Sequence, residues 1–258
     1  MEANSLRTAG GRLVATGTEA LELRIKGLLD NAGGTIAGNG ALELSAGELD
    51  NRAGTLQSSS EQASQIWVAG SLDNSAGILA TTGELSLTAG ELHNAGGQVQ
   101  TAGDSALRLT VDGLLDNSAD GRIATAGELA IQAQTLDNRT GRIEHAGEAG
   151  LSIAVETLSG AGGTLASNSG LTLSGEHIDL REGETSAERI QVKADALITA
   201  GGRLVATGEE ALELRVSGLL DNAGGTIAGN GALELSANEL DNGAGILQSP
   251  ASRPARST

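Results

Sequence analysis

The chain has 258 residues and a net charge of −17, with no Cys, Phe or Tyr, one Trp and 39 Gly. Without aromatics, which each bury a large area, any core must be narrow and built from Leu, Ile, Val and Ala. The acidic balance excludes a nucleic-acid partner, which needs a basic patch, and disfavours anionic membranes. No stretch is apolar enough for a membrane span.

In chain order the sequence is one motif written many times. "LDNAGGTIAGNG" fills residues 29–40 and returns at 220–231, with looser copies such as "LDNRAGTLQS" and "LDNSAGILAT" between. Taking the Asn of "LDN" as position zero, the copies fall at Thr8, Asn31, Asn51, Asn74, Asn94, Asn117, Asn138, Gly160, Leu180, Thr199, Asn222 and Asn242. The mean spacing is about 21 residues, and spacings of 23 and 20 alternate clearly over the first five gaps. Two places before zero all twelve copies have Leu or Ile. Five places after zero ten have an aliphatic residue. Ile123 is displaced by one extra residue and Thr185 is polar.

Between these anchors run alternating segments: "ALELSAGEL", "GELSLTAGEL", "ALRLTVDG", "ELAIQAQTL", "GLSIAVETL" and "GLTLSG". Period two is the signature of a strand with one apolar face. The period and the frequent Gly both exclude helix. No unit of this length buries its apolar face alone, but stacked units cover one another. The predicted fold is all-β: a parallel β-helix of about twelve rungs, each with three short strands and three turns, over residues 1–248. With rungs about 4.8 Å apart the rod is about 55 Å long. Residues 8–58 match 199–249 at 45 of 51 positions, an offset of nine whole rungs.

Gly at two and three places after zero marks tight corners that need positive φ or close chain approach. Asn31, Asn51, Asn74, Asn94, Asn117, Asn138, Asn222 and Asn242 are expected to stack as a structural ladder and bond one another along the rod. The Asp before zero recurs at eight copies and predicts a partial column of like charge, exposed and bonded to turn amides; the alternative is that hard cations such as calcium bridge the column. Trp67 falls between Ile66 and Val68, so its ring is expected to point outward as a candidate contact. It aligns with Arg24, Arg108 and Arg215 of other long rungs. His93, His145 and His177 lie apart, with no second ligand at metal spacing, and no Gly-x-Ser-x-Gly nucleophile occurs. The sequence therefore names no catalytic residue, cofactor or metal. The tail at 249–258 is polar and holds both Pro residues, which predicts disorder.

The "LDN-x-x-G-x-(I/L)" head and "(A/G)-x-L-x-L-x-A" strands resemble the haemagglutinin repeats of the filamentous haemagglutinin family over residues 6–248. The resemblance implies a right-handed β-helix filament on the outer surface of a Gram-negative bacterium, within a large exoprotein secreted by a two-partner system. Adhesins and the stalks of contact-dependent growth-inhibition toxins belong to that family. The expected role is a stalk segment, with flanking rungs of a longer filament as partners. The alternative is a binding module whose side meets a host or bacterial cell-surface receptor or glycan. The start, "MEANSLRTAGG", is not a signal peptide, and the repeat runs from Leu6 with no cap before it. A truncated piece or end-to-end association is the expectation. No functional residue of the family carries over, since the repeat supplies shape.

Overall fold

The computed structural model describes residues 1–250. They form a parallel β-solenoid of about twelve turns with no helix. The strands lie in two sheets, one of 17 strands and one of 12. The smaller sheet takes one short strand from each turn, from Arg12–Ala15 through to Ile246–Gln248. The larger sheet takes the alternating segments. The proposed tail lies largely outside the described residues, which stop before residue 251.

The register follows the repeat. The Leu column two places before zero is continuous through all twelve turns: Leu6, Leu29, Leu49, Leu72, Leu92, Leu115, Leu136, Leu158, Ile178, Leu197, Leu220 and Leu240 pair rung to rung. The second column, on the smaller sheet, is as complete. Ile123 is in line with Val99 and Ile143 despite its extra residue, and Thr185 sits buried between Leu165 and Leu204. Further inward columns run through Leu23, Leu44, Ile66 and Leu87. Each fully buried Leu or Ile contributes about 1.5–3 kcal/mol, so aliphatic side chains alone sustain the core.

The long and short turns differ at one inward column, where Ile25, Val68, Val111 and Val155 of long turns alternate with Ala46, Ala89 and Ala133 of short ones. A larger side chain above a smaller one fills the interior without voids. The turns of Ile25, Val68 and Val111 each have one extra residue here, taken up as a register shift such as that between Ile25 and Leu28, whereas the turn of Val155 pairs with that of Ala133 without a shift.

The expectation of three short strands per turn is corrected over the first two-thirds of the chain. From Leu21–Asp30 to Leu151–Ser159 the first two strands merge into one of 9 or 10 residues that bends at the bulge. They are separate in the first turn, as Glu2–Ala3 and Leu6–Arg7, and again from Gly170–Ser174 and His177–Asp179 onward. There Gly175 and Glu176, and in the next turn Asp195, leave the strand pairing at the bend and bond through turn amides instead.

The two corner positions have different needs. Two places after zero the backbone is left-handed: Gly33, Gly96 and Gly224 have it, but so do Ala53, Ala76, Thr140, Glu182 and Ala244. Three places after zero, in every copy but one, φ is ordinary and the residue is Gly for steric reasons; in the Asn117 copy the extra residue Asp120 takes a left-handed φ of 64° and Gly121 fills the role. A Cβ on Gly54 would lie 2.4 Å from the Asn31 carbonyl oxygen and 2.6 Å from the Asn51 side-chain oxygen. One on Gly33 would meet nothing within 4 Å.

The Gly54→Ala variant is therefore expected to lose about 3 kcal/mol through forced separation of rungs. Gly33→Ala should lose roughly 1–2 kcal/mol, the cost of a left-handed Ala. Urea unfolding of both checks this, and equal losses would show that φ, not rung spacing, selects the corner glycines.

Candidate functional site

The chemistry-bearing residues fall at three places on the coil: the first corner, the second corner, and the outer surface of the bend. At the first corner the zero position N–H donates to the carbonyl one place before zero in the next turn, at 2.6–2.7 Å in eleven successive steps. Against this frame the Asn side chains form a ladder. Asn31 Nδ2 donates to Asn51 Oδ1 at 2.7 Å, and the pattern continues through Asn74, Asn94, Asn117 and Asn138 at 2.6–2.8 Å. Thr8 Oγ1 starts the run by donating to Asn31 at 2.8 Å. The run stops at Asn138, because Gly160 and Leu180 occupy the next two zero positions. It restarts with Thr199, which donates to Asn222 at 2.9 Å, and Asn222 donates to Asn242 at 2.6 Å. Seven of these Asn are fully buried, and Asn242, at the last turn, is half-buried. No buried side-chain polar atom lacks a partner among the described residues.

The Asp column has a local purpose. At all eight Asp residues, Oδ1 accepts the backbone N–H two residues on, at 2.9–3.2 Å, which closes the corner as an Asx turn. Arginines relieve the like charge. Arg52 bonds Asp50 at 2.6 Å and reaches Asp73 at 3.7 Å, and Arg7, Arg139 and Arg181 pair with Asp30, Asp137 and Asp179. The Arg52 hydrogen bonds hold the Asp50 carboxyl below the ordinary carboxylate range, against a smaller opposing push from burial. Among the described residues no three His, Cys, Asp or Glu converge as ligands for a metal.

The second corner, which the sequence reading missed, carries its own buried polar column: Ser58, Thr81, Thr101, Thr125, His145 and Ser167. Its signal was parity, since these residues lie two places beyond the inward aliphatic column. Ser58 and Thr81 donate to the carbonyls of Gly40 and Gly83 at 2.9 and 2.7 Å. The Gly150 N–H donates to His145 Nε2 at 3.3 Å, so Nδ1 holds the hydrogen and donates to Ser167 Oγ at 2.9 Å. Burial pushes this imidazole below its ordinary value, outweighing the Gly127 backbone, which raises it.

On the outer surface, Trp67 is 53% exposed while Ile66 and Val68 are buried. The register corrects its neighbours. Trp67 pairs with Ser45 and Thr88, and the column reaches Arg24 on one side and Thr110 on the other, with Lys193 and Arg215 further on. Arg108 lies two residues away, in the column of Ser86 and Gln65. The expected alignment of Arg108 is off by two residues, because the alternating Leu residues of "LRLTVDG" offer two registers.

Arg24, Lys26 and Trp67 wall a trough of about 610 Å³ whose floor is Ser45, Ala46 and Gly47, with Glu2 and Asn4 of the preceding turn at its far edge. Small residues of a short turn lie where the long turns on either side carry large ones. Arg24 pairs with Glu22 and Glu2 at 3.2 and 3.6 Å, all three well exposed. Among the described residues Lys26 has no ion pair.

The repeat itself decides the family. The family model described as haemagglutinin repeat matches at residues 8–76, 62–119, 105–152, 146–209 and 205–252, nearly the whole chain. The chain belongs to the haemagglutinin repeat family. No curated protein and no solved structure matches it. Haemagglutinin repeats on a β-solenoid fit a filament or adhesin stalk segment, and such repeats are typical of secreted surface proteins. No helix of the structure is long and apolar enough to cross a membrane.

Two measurements test the corners. Asn94→Ala strands the Asn117 side-chain oxygen, at about 1–3 kcal/mol for the unmet group, and leaves Asn74 Nδ2 with only its longer bonds to the Gly77 and Gln98 carbonyls at 3.3 and 3.1 Å. A loss under 1 kcal/mol in urea unfolding would show that the ladder is incidental. For His145, whose folded value lies below the ordinary 6.5, stability is full above pH 6.5. It falls as pH drops below that, because the unfolded chain takes up the proton first. The difference in stability between wild type and His145→Thr should shrink from pH 7.5 to 5.5, and a pH-independent difference would refute it.

Proposed function

We propose that this chain is a stalk segment of a large secreted bacterial surface protein, either an adhesin or a contact-dependent growth-inhibition exoprotein exported by a two-partner system. It acts without catalysis, and its partners are the neighbouring turns of a longer filament. Nucleic acid and membrane insertion have no place in this reading. The observation that carries it is the unbroken register of the two aliphatic columns through every turn. A coil whose every turn stacks on the next is a stiff spacer whose length is set by turn count.

A second reading is that the side of the rod also makes a contact. It is favoured by the Trp67 trough, where an exposed aromatic and two cations stand together on an acidic chain. The two readings are compatible, because the trough lies on outward positions that the stacking does not use.

Lengthening the rod tests the first reading. A chain in which residues 8–198 are repeated in tandem adds nine turns in register, since residue 199 stands where residue 8 did. Small-angle scattering should show a rod longer by about 43 Å at unchanged cross-section. A compact particle, or a kink at the junction, would exclude the spacer.

A further inference from the structure

We propose that the trough over Ser45, Ala46 and Gly47 binds an acidic saccharide unit, with the sugar ring against Trp67 and its anionic group on Lys26. This rests on the side-contact reading above. The position of Trp67 is the first argument. Its outward column carries Ser45 and Thr88 on either side, so one face of the indole is free above a recessed floor. A sugar ring has an apolar C–H face and a polar rim, which suits an aromatic beside charged groups.

Charge is the second argument. From Leu21–Asp30 to Leu85–His93 the two outward positions flanking the bend are Arg24 and Lys26, Ser45 and Gly47, Trp67 and Ala69, and Thr88 and Gly90. None is a carboxylate, in a chain with 33 acids against 16 bases. Further along, the same edge of the bend carries Asp112, Glu156 and Asp195. Four successive turns of this surface thus carry no carboxylate at these positions, and the exposed Trp is on them; Glu2, one turn earlier in the same column, lies at the edge of the trough and is paired with Arg24.

The components divide the work. Lys26 has no ion pair among the described residues, so an anion meets a cation that need not first release another carboxylate. Arg24 shares Glu22 and Glu2 through exposed contacts, which are worth about 1 kcal/mol or less, and it can swing toward a ligand. The Ser45 hydroxyl is the polar group of the floor. The groove is shallow and open, which suits one or two sugar units of a polymer running over the surface.

Trp67 is the chain's sole Trp, so its fluorescence reports the trough directly. The intact chain is titrated with oligogalacturonate, with a sulfated glycosaminoglycan oligosaccharide and with neutral cello-oligosaccharide as separate arms. The expected result is a saturable change with one or both acidic ligands and none with the neutral one. The two acidic arms identify carboxylate or sulfate as the anion. Lys26→Gln should weaken binding about tenfold, and 0.5 M salt should weaken it further. Ser45→Met, which fills the floor without adding charge and leaves Trp67 and Lys26 in place, should abolish it. No fluorescence change at millimolar ligand, equal binding of the neutral oligosaccharide, or binding unaltered in Lys26→Gln each overturns the proposal. Labelled protein applied to epithelial and bacterial cells separates the two levels. Saturable cell binding lost in Trp67→Ala, without any response to acidic oligosaccharides, would leave the side contact standing and remove the acidic sugar as its ligand.

Discussion

Every feature of this molecule depends on turns stacking in register, and the first corner is where register is enforced. The backbone bond from each zero position to the next turn is continuous through all twelve turns. The Asn amide adds a side-chain check on the same point. It carries a donor and an acceptor on opposite atoms, so one Asn can accept from the turn before and donate to the turn after without limit. A hydroxyl serves at the head of such a run, and Thr8 and Thr199 both stand there. With six amides aligned from Asn31 to Asn138, each bond polarises the next. A slip of one residue would turn the aliphatic columns outward and leave each buried amide unpaired.

The middle of the rod shows which part of this is indispensable. At Gly160 and Leu180 the amide is missing, and Leu180 is buried instead. The backbone bonds nevertheless continue, Gly160 N–H to the Asp179 carbonyl and Leu180 N–H to that of Ile198, both at 2.7 Å. The turn thus tolerates an aliphatic residue where an amide stood, since neither leaves a polar group unmet. The corner Gly three places after zero persists through this region, as Gly163, Gly183 and Gly202. Chain approach at the corner is less negotiable than the ladder.

Much of this was legible in the sequence because the repeat compares the chain with itself. The aliphatic columns, their twelvefold count and the exception at Ile123 follow from spacing alone. What stayed hidden depends on contacts between turns. Gly54 and Gly33 look alike as letters, yet one is needed for a neighbouring carbonyl and the other for a left-handed φ that Ala53 also adopts. The column of Ser58, Thr125 and His145 escaped notice because polar residues at a strand end read as turn residues. The trough was out of reach because it needs the correct register between three turns, and alternating Leu residues leave that register open to a shift of two, as Arg108 showed.

The outer surface follows from the same division. Inward columns are fixed by packing, and outward columns are fixed by little. Arg24, Ser45, Trp67 and Thr88 occupy equivalent outward sites in four successive turns, above buried residues that scarcely differ in character. A substitution there changes what the rod presents without changing how it stacks. The alternation of turn lengths adds relief, because the short turn lies low between two long ones, so an aromatic on a long turn acquires a recessed floor beside it. A surface built this way can gain or lose a contact by single substitutions, and duplication by whole turns, as in residues 8–58 and 199–249, carries the relief along with the fold. Stalk and contact surface are then two uses of one coil, separated by the parity of the strand.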